Sequence, residues 1–323
     1  MPGNRYFIGV DLGGTNIRAA AVSPEGDIHI RRRAATGPDD GYKAVVGRIV
    51  SAIESIVEEA GAKPVSVGLA SPGAINFDRG IIVRSPNFPG WRNIPLSGDV
   101  EKAVGIPVTL ENDANSAAIG EGWLGVAKGW SDYLVFTLGT GVGGGIMMDG
   151  KIWHGPTGMG GEVGHLMVEP GGRTCGCGSR GCLETYSSAT GVKQSARERF
   201  PAPGAQWLKE ASHGLEDNIG AKMVAEGAAM GDRLCVEVLN DAGMYLGRAI
   251  AQATLLLDIT RYAFAGGMSP ALPLMENAIR KEAFASAYTL KGKELYLRMA
   301  ILGDDAGLLG AVRVAMRADG NNP

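Results

Sequence analysis

Tyr6-Phe7-Ile8-Gly9-Val10 runs directly into Asp11-Leu12-Gly13-Gly14-Thr15-Asn16, and Ile17 to Val22 follows at once. The first run is apolar and rich in strand formers, the second is glycine-rich punctuation, and the third is again a strand. After the turn Pro24-Glu25-Gly26-Asp27 comes a third strand, Ile28 to Arg32. Three strands joined by short turns predict a β-meander. Backbone N–H groups in the Gly13-Gly14-Thr15 turn can point at phosphate oxygens with no side chain in the way. Asp11, at the tip of the first strand, is placed to act through Mg²⁺, which takes oxygen ligands and keeps several waters.

Downstream, Val45, Val46, Ile49, Ile53, Ile56 and Val57 recur at helical spacing, with Asp39 or Asp40 as the expected cap and Gly61 as the stop. Val65 to Ala70 and Val108 to Glu111 read as further strands, the second after a short helix around Val100 to Val104. The second half opens in the same way. Tyr133 to Phe136 is a strand, Thr137 to Gly145 a turn, and Ile146-Met147-Met148 a returning strand. Helices dominate from about Ala189 to Gln252, interrupted at Pro201-Ala202-Pro203-Gly204, and Asp258 to Gly267 gives another strand. Asp304 or Asp305 is expected to cap a last helix with Leu308, Leu309, Val312 and Met316 on one stripe, and Ala318 to Pro323 reads as a disordered tail. The fold class is therefore α/β, with one strand–glycine turn–strand unit in each half.

Gly139-Thr140-Gly141-Val142-Gly143-Gly144 satisfies G-x-G-x-x-G, but Ile146 to Lys151 looks like the second arm of a hairpin. A dinucleotide site needs a helix there. A P-loop is excluded too, since no G-x-x-x-x-G-K-[ST] occurs.

Three of the four cysteines, Cys175, Cys177 and Cys182, fall within eight residues, and His165 lies just upstream. Three thiolates and an imidazole suit a structural tetrahedral zinc. Glu162 and Glu184 bracket the cluster without being expected ligands. A disulfide framework is disfavoured, because Met1-Pro2-Gly3-Asn4-Arg5 carries no secretory pattern and a four-cysteine chain of this length is not a disulfide scaffold; Cys235, far off in a helical stretch, reads as a core thiol.

Composition bounds the rest. The 323 residues are 45% hydrophobic and 20% charged, enough for one large or two medium domains. A net charge of −3 with no basic stripe argues against nucleic acid as a partner, and no apolar run is long enough to span a membrane. Glycine accounts for 50 residues, about twice its ordinary share of ~7%. Clustered in motifs, the glycines suggest close backbone approach to ligands.

The last motif is Glu111-Asn112-Asp113-Ala114-Asn115, which follows a strand and opens a helix. Asn112 or Asp113 can simply cap that helix. Alternatively, an aspartate at a strand's carboxyl end can accept a sugar hydroxyl's proton while that oxygen attacks phosphorus.

Taken in order, Asp11 to Asn16, Glu111 to Asn115, Thr137 to Gly141, Gly161-Glu162-Val163-Gly164-His165 and Cys175 to Glu184 resemble the motifs of the ROK family (repressor, open reading frame, kinase), in particular its bacterial glucokinases. The resemblance spans about Tyr6 to Met316. It implies two actin-like, ribonuclease-H-like α/β domains with ATP and sugar in an interdomain cleft. One would comprise residues 1–115 plus about 304–323, the other about 116–303.

The resemblance also implies roles. Asp113 matches the base that deprotonates the sugar's 6-hydroxyl, and Asn112, Glu162, His165 and Glu184 match positions that hydrogen-bond its other hydroxyls. Ser71-Pro72-Gly73 resembles a loop lining the sugar pocket. Gly13, Gly14, Thr15 and Asn16, with Thr140 and Gly141, match the phosphate loops, and Gly266-Gly267 the adenosine side. His165 would ligate zinc through one nitrogen and touch sugar with the other. The expected activity is phosphoryl transfer from Mg-ATP to glucose, in the cytoplasm, by a homodimer or homotetramer. Rivals are a kinase for mannose, fructose, allose or N-acetylmannosamine, a polyphosphate-dependent enzyme, and a non-catalytic sugar sensor. The sensor is disfavoured because Asp113 is retained and the first strand begins too early for a preceding DNA-binding helix-turn-helix.

Overall fold

The computed structural model describes residues 5–85 and 87–320. The first half contains β1 (Phe7–Leu12), β2 (Asn16–Val22), β3 (Ile28–Ala35), α1 (Tyr42–Ala60), β4 (Val67–Ser71), β5 (Ala74–Asn76), β6 (Ile81–Arg84), β7 (Arg92–Ile94), α2 (Leu96–Val104), β8 (Val108–Asn112) and α3 (Asp113–Trp123). The second half contains β9 (Tyr133–Leu138), β10 (Val142–Met148), β11 (Lys151–Ile152), α4 (Glu184–Ser187), α5 (Ala189–Arg199), α6 (Gln206–Ala211), α7 (Ala221–Ala229), α8 (Arg233–Leu257), β12 (Arg261–Ala265), α9 (Leu272–Ser286), β13 (Tyr296–Met299) and α10 (Ala306–Ala318).

The two five-stranded sheets have one plan. Their orders are β3-β2-β1-β4-β8 and β11-β10-β9-β12-β13, the same permutation of five successive strands. In the first, β1, β2 and β3 form the expected antiparallel meander, while β4 and β8 lie parallel to β1. In the second, β9, β12 and β13 are parallel. Contacts divide the chain into two compact units: Met1–Ser131, Gly145–Gly161 and Ile301–Pro323 in one, Asp132–Gly144 and Glu162–Ala300 in the other. The first thus includes α3 and the turn from β10 into β11, as well as the C-terminal helix.

The core of the first unit explains why β1 is continuously apolar. Alternate side chains of a strand point to opposite faces, so a sheet covered on both sides needs apolar residues at every position. Ile8, Val10 and Leu12 pack with Ile49, Ile53 and Ile56 of α1, and Phe7 packs with Leu308, Leu309, Val312 and Met316 of α10. The α10 helix lies directly on the sheet. A Cβ at Gly68, the second residue of β4, would sit 1.8 Å from the carbonyl oxygen of Ala311. Some of the glycine enrichment therefore serves helix-on-sheet packing, where the sequence suggested ligand approach. Gly68→Val should accordingly destabilise the protein at or beyond the upper end of the ~1–3 kcal/mol usual for overpacking. Urea unfolding checks this, and an unchanged midpoint would contradict it.

Several local expectations are corrected. Neither Asp39 nor Asp40 caps α1: Pro38 fixes them in a 3-10 turn, Gly41 is the N-cap, and Asp40 pairs with Arg48. Gly61 does end α1. Asp305 occupies the N-cap of α10 but makes no capping bond, because its backbone is already helical and its carboxylate accepts from Arg31 at 2.8 Å. The turn read over Thr137–Gly145 is confined to Gly139–Gly141, since Val142 onward is already β10. The strand read from Asp258 begins only at Arg261, because Asp258 forms the left-handed end of α8. The small β5-β6-β7 sheet had no counterpart in the sequence reading. Of the tail, α10 extends through Ala318, and residues 321–323 lie outside the described residues. Among the described residues, no helix is long and apolar enough to cross a membrane.

Candidate functional site

In the first unit, parallel registry brings three distant motifs to one edge of the sheet. Asp11 is level with Ala70 of β4, Ala70 with Glu111, and Ser71 with Asn112. Asp11, Ser71 and the Asn112–Asp113 junction thus lie at carboxyl ends of neighbouring strands, where α/β sheets place ligands. Asn112 has extended backbone, and its Oδ1 accepts from the backbone N–H groups of Ala114 (2.9 Å) and Asn115 (3.2 Å). The capping alternative is therefore real for Asn112. Its Nδ2 donates to the carbonyl of Gly73 at 3.2 Å, which joins the Ser71–Gly73 loop to the helix start. With Asn112 as cap, Asp113 is the first helical residue. It is exposed, and its Oδ1 accepts from the N–H of Ala114 at 2.9 Å.

Asp11 is held up at about 6, against an ordinary 3.8, first by burial and then by the charge of Asp113, while Arg18 at 3.4 Å pulls the other way. The folded state therefore binds this proton more tightly than the unfolded chain. The contribution of Asp11 is fully favourable below pH 3.8 and is lost as pH rises through about 6. A shift of about two units is worth about 3 kcal/mol. In metal-free buffer, Asp11→Asn should gain thermal stability relative to the parent across that window. Parallel curves of Tm against pH would refute this. Next along the chain, the Gly13 N–H donates to the Asn16 carbonyl at 2.9 Å, which closes a tight turn with Gly14 partly covered and Thr15 exposed.

The second unit repeats the arrangement. Its turn closes with the Gly139 N–H donating to the Gly141 carbonyl at 3.0 Å, leaving Thr140 exposed. Gly266 and Gly267 follow β12, whose Ala265 is level with Thr137 of β9, so both turns lie at carboxyl ends of adjacent strands. Gly266 has φ 87°, and a Cβ there would meet the Leu138 carbonyl at 2.5 Å. Only glycine fits at that position. Glu184, the first residue of α4, accepts from the Val142 N–H at 3.0 Å, which fixes its carboxylate beside the Gly139–Gly141 turn.

The cysteine loop lies in the same unit. Ligand atoms of His165, Cys175, Cys177 and Cys182 all fall within 4.8 Å of one another. Cys177 Sγ is 3.7 Å from Cys182 Sγ, and Cys175 Sγ is 3.7 Å from His165 Nδ1. A tetrahedral zinc with bonds of about 2.3 Å spaces its ligands by about 3.8 Å, so the donor set and its spacing fit that ion. Cys177 is drawn down to about 7, chiefly by the backbone N–H of Ser179, while burial first of all pushes Cys182 up to about 12. His165 Nε2, on the ring edge away from the sulfurs, is 3.9 Å from Glu162 Oε2. Cys175 Sγ is also 3.8 Å from Glu184 Oε1, so the loop touches both flanking carboxylates.

Sequence reading left two residues without a role. Glu111 belongs to a motif whose pattern gives it no function, and His154 belongs to no motif at all. In the structure Glu111 is 2% exposed and accepts from His154 Nε2 at 2.8 Å. A glutamate at the end of an apolar strand was the available signal for the first; a lone histidine among glycines gave none for the second.

The chain belongs to the ROK family, whose model matches residues 7–318. It is 38% identical to the glucokinase of Halalkalibacterium halodurans over 95% of this chain and 94% of that relative. It superposes on a ROK family glucokinase from Streptomyces griseus, solved in complex with glucose and AMPPNP, with a TM-score of 0.80, 36% identity and coverage of 97% of this chain and 99% of that one. An N-acetylmannosamine kinase of Haemophilus influenzae is 30% identical over 94% of this chain and 93% of that relative.

Proposed function

We propose that this protein is a glucokinase, transferring the γ-phosphoryl group of Mg-ATP to the 6-hydroxyl of D-glucose. The observation that carries the reading is Asp113: an exposed carboxylate on the first turn of α3, its backbone held by the Asn112 cap, in a chain 38% identical to a named glucokinase. At that position it can accept the hydroxyl proton as the oxygen attacks phosphorus. Asn112, Glu162, His165 and Glu184, with Ser71 and Gly73, are assigned to the sugar. A neutral hexose is recognised by hydrogen bonds, and carboxylates accept two at once. Gly13, Gly14, Thr15, Asn16, Thr140 and Gly141 are assigned to the phosphates, and Gly266 and Gly267 to the adenosine side.

Asp11 would hold Mg²⁺, which when bound neutralises developing charge on the phosphoryl oxygens. His165, Cys175, Cys177 and Cys182 would hold zinc, whose contribution is to fix the positions of His165 and Glu184. The expected setting is the cytoplasm and the expected assembly a homodimer or homotetramer. The second reading, favoured by the 30% match to an N-acetylmannosamine kinase, keeps this chemistry and changes the sugar.

A coupled assay with Mg-ATP against glucose, mannose, fructose, allose and N-acetylmannosamine tests the proposal. Preferred turnover of glucose to its 6-phosphate is expected. Preference for another hexose reassigns the substrate, and sugar binding without turnover of any would favour the sensor reading. Polyphosphate in place of ATP should be a poor donor, since the longest basic run, Arg31-Arg32-Arg33, is too short to hold a long polyanion.

A further inference from the structure

We infer that Glu111 is a positioning residue for the reaction, and that with His154 it forms a carboxylate–histidine pair holding Asn112 and Asp113 in their working geometry. This rests on the proposed kinase reading. A carboxylate as buried as Glu111 needs its oxygens satisfied, because a buried charge without partners is heavily penalised. The partners divide cleanly between the two oxygens. Oε1 accepts from the backbone N–H of Asn112 at 2.8 Å and from Asn115 Nδ2 at 3.0 Å. Oε2 accepts from His154 Nε2 at 2.8 Å. One oxygen thus grips the turn that presents Asn112 and Asp113, and the other is held from outside that turn.

The crowding of Asn112, Asp113 and Asn115 follows from this arrangement. Asn115 is one helical turn beyond Glu111 and reaches back to it, while its own backbone N–H donates to Asn112 Oδ1. Two linked rings fix the backbone on either side of Asp113 and leave the Asp113 carboxylate exposed. His154 is itself held by its ring, stacked on Phe77 at 3.7 Å with 29° between planes. It also sits in the segment that runs on through Gly161 to Glu162, so its bond ties the start of that segment to the strand end before Asp113.

A glutamine at position 111 offers one acceptor oxygen and one donor nitrogen, and so cannot accept on both sides. Misplacing a reacting group by about 1 Å costs on the order of 10²-fold in rate. Glu111→Gln should therefore lower kcat for glucose by on the order of 10²-fold, with the ATP KM unchanged. His154→Phe keeps the stack and loses the donor, and should lower kcat about tenfold, while His154→Gln, which can still donate, should restore most of it. Combining Glu111→Gln with Asp113→Ala should produce no further loss, because residues acting as one unit are non-additive. A purely structural role would give additive losses and no rescue by His154→Gln.

If the parent turns over glucose and Glu111→Gln retains kcat within about twofold, the inference is overturned while the kinase reading stands. If Glu111→Gln does not fold, the half-buried His154 pair decides by the same criteria. If the parent binds glucose without turnover, calorimetry replaces kcat: weaker glucose binding by the Glu111 and His154→Phe variants supports positioning of Asn112, and unchanged binding overturns it. A parent that neither turns over nor binds a hexose removes the kinase reading and this inference with it.

Discussion

Asp113→Ala is expected to lower kcat by on the order of 10²–10⁴-fold, the range for loss of a general base. The structure makes this a clean test. The helix cap belongs to Asn112, whose Oδ1 accepts from Ala114 and Asn115, so truncating Asp113 leaves the start of α3 intact. The Asp113 bond to the Ala114 N–H is lost, but that N–H keeps Asn112 as acceptor. A folded variant with sugar and nucleotide affinities near those of the parent and little turnover is the expected outcome. Near-parental turnover by the folded variant would remove Asp113 from the reaction. The same substitution deletes the second-largest influence raising Asp11, so the pH dependence of stability should flatten in metal-free buffer as well.

The second large effect is expected at the cysteine loop. Cys177 is exposed, so Cys177→Ser disturbs no packing. It leaves three of four donors, and a structural zinc site with an incomplete donor set binds poorly. Zinc content should fall well below one per chain, and the glucose KM should rise on the order of tenfold or more. The reason lies in what the loop supports. His165 offers Nδ1 toward the sulfurs and Nε2 toward Glu162, and Cys175 is in contact with Glu184, so losing the knot frees three groups assigned to the sugar. Chelation of the parent should reproduce the effect, with kcat at saturating glucose reduced less than KM is raised. Full zinc occupancy and an unchanged KM in Cys177→Ser would contradict this account. Cys235, buried in α8, should be indifferent to chelation.

Most of the fold was legible because periodicity and punctuation agreed. The run Tyr6 to Val10 announced a strand, Val45 to Ile56 a helix stripe, and Gly61 its end, although the first strand continues through Leu12 into what reads as turn. What was not legible depended on geometry beyond local pattern. Capping by Asp39 or Asp40 failed because Pro38 diverted the backbone, and the Asp305 cap failed because Arg31, 274 positions away, took the carboxylate. The sequence also could not separate two uses of glycine. Gly266 lies where only glycine fits a turn, whereas Gly68 lies where a helix rests on a strand. For the site, ligand-type residues were visible as motifs, but their support was not. The Glu111 bond to His154 joins positions 43 apart, and His154 stands alone in sequence with nothing to mark it.

The position of α10 carries a consequence for how the chain is made. The face of β1 that bears Phe7 is covered by Leu308, Leu309, Val312 and Met316, the last helix laid against the first strand. During translation the first sheet therefore emerges with one apolar face bare, and its cover arrives only after the whole of the second unit, through Ala300, has been made. Until α10 emerges, that face is a surface for chaperones or for misassociation. Folding of the first unit is thus completed only after the second unit has been synthesised.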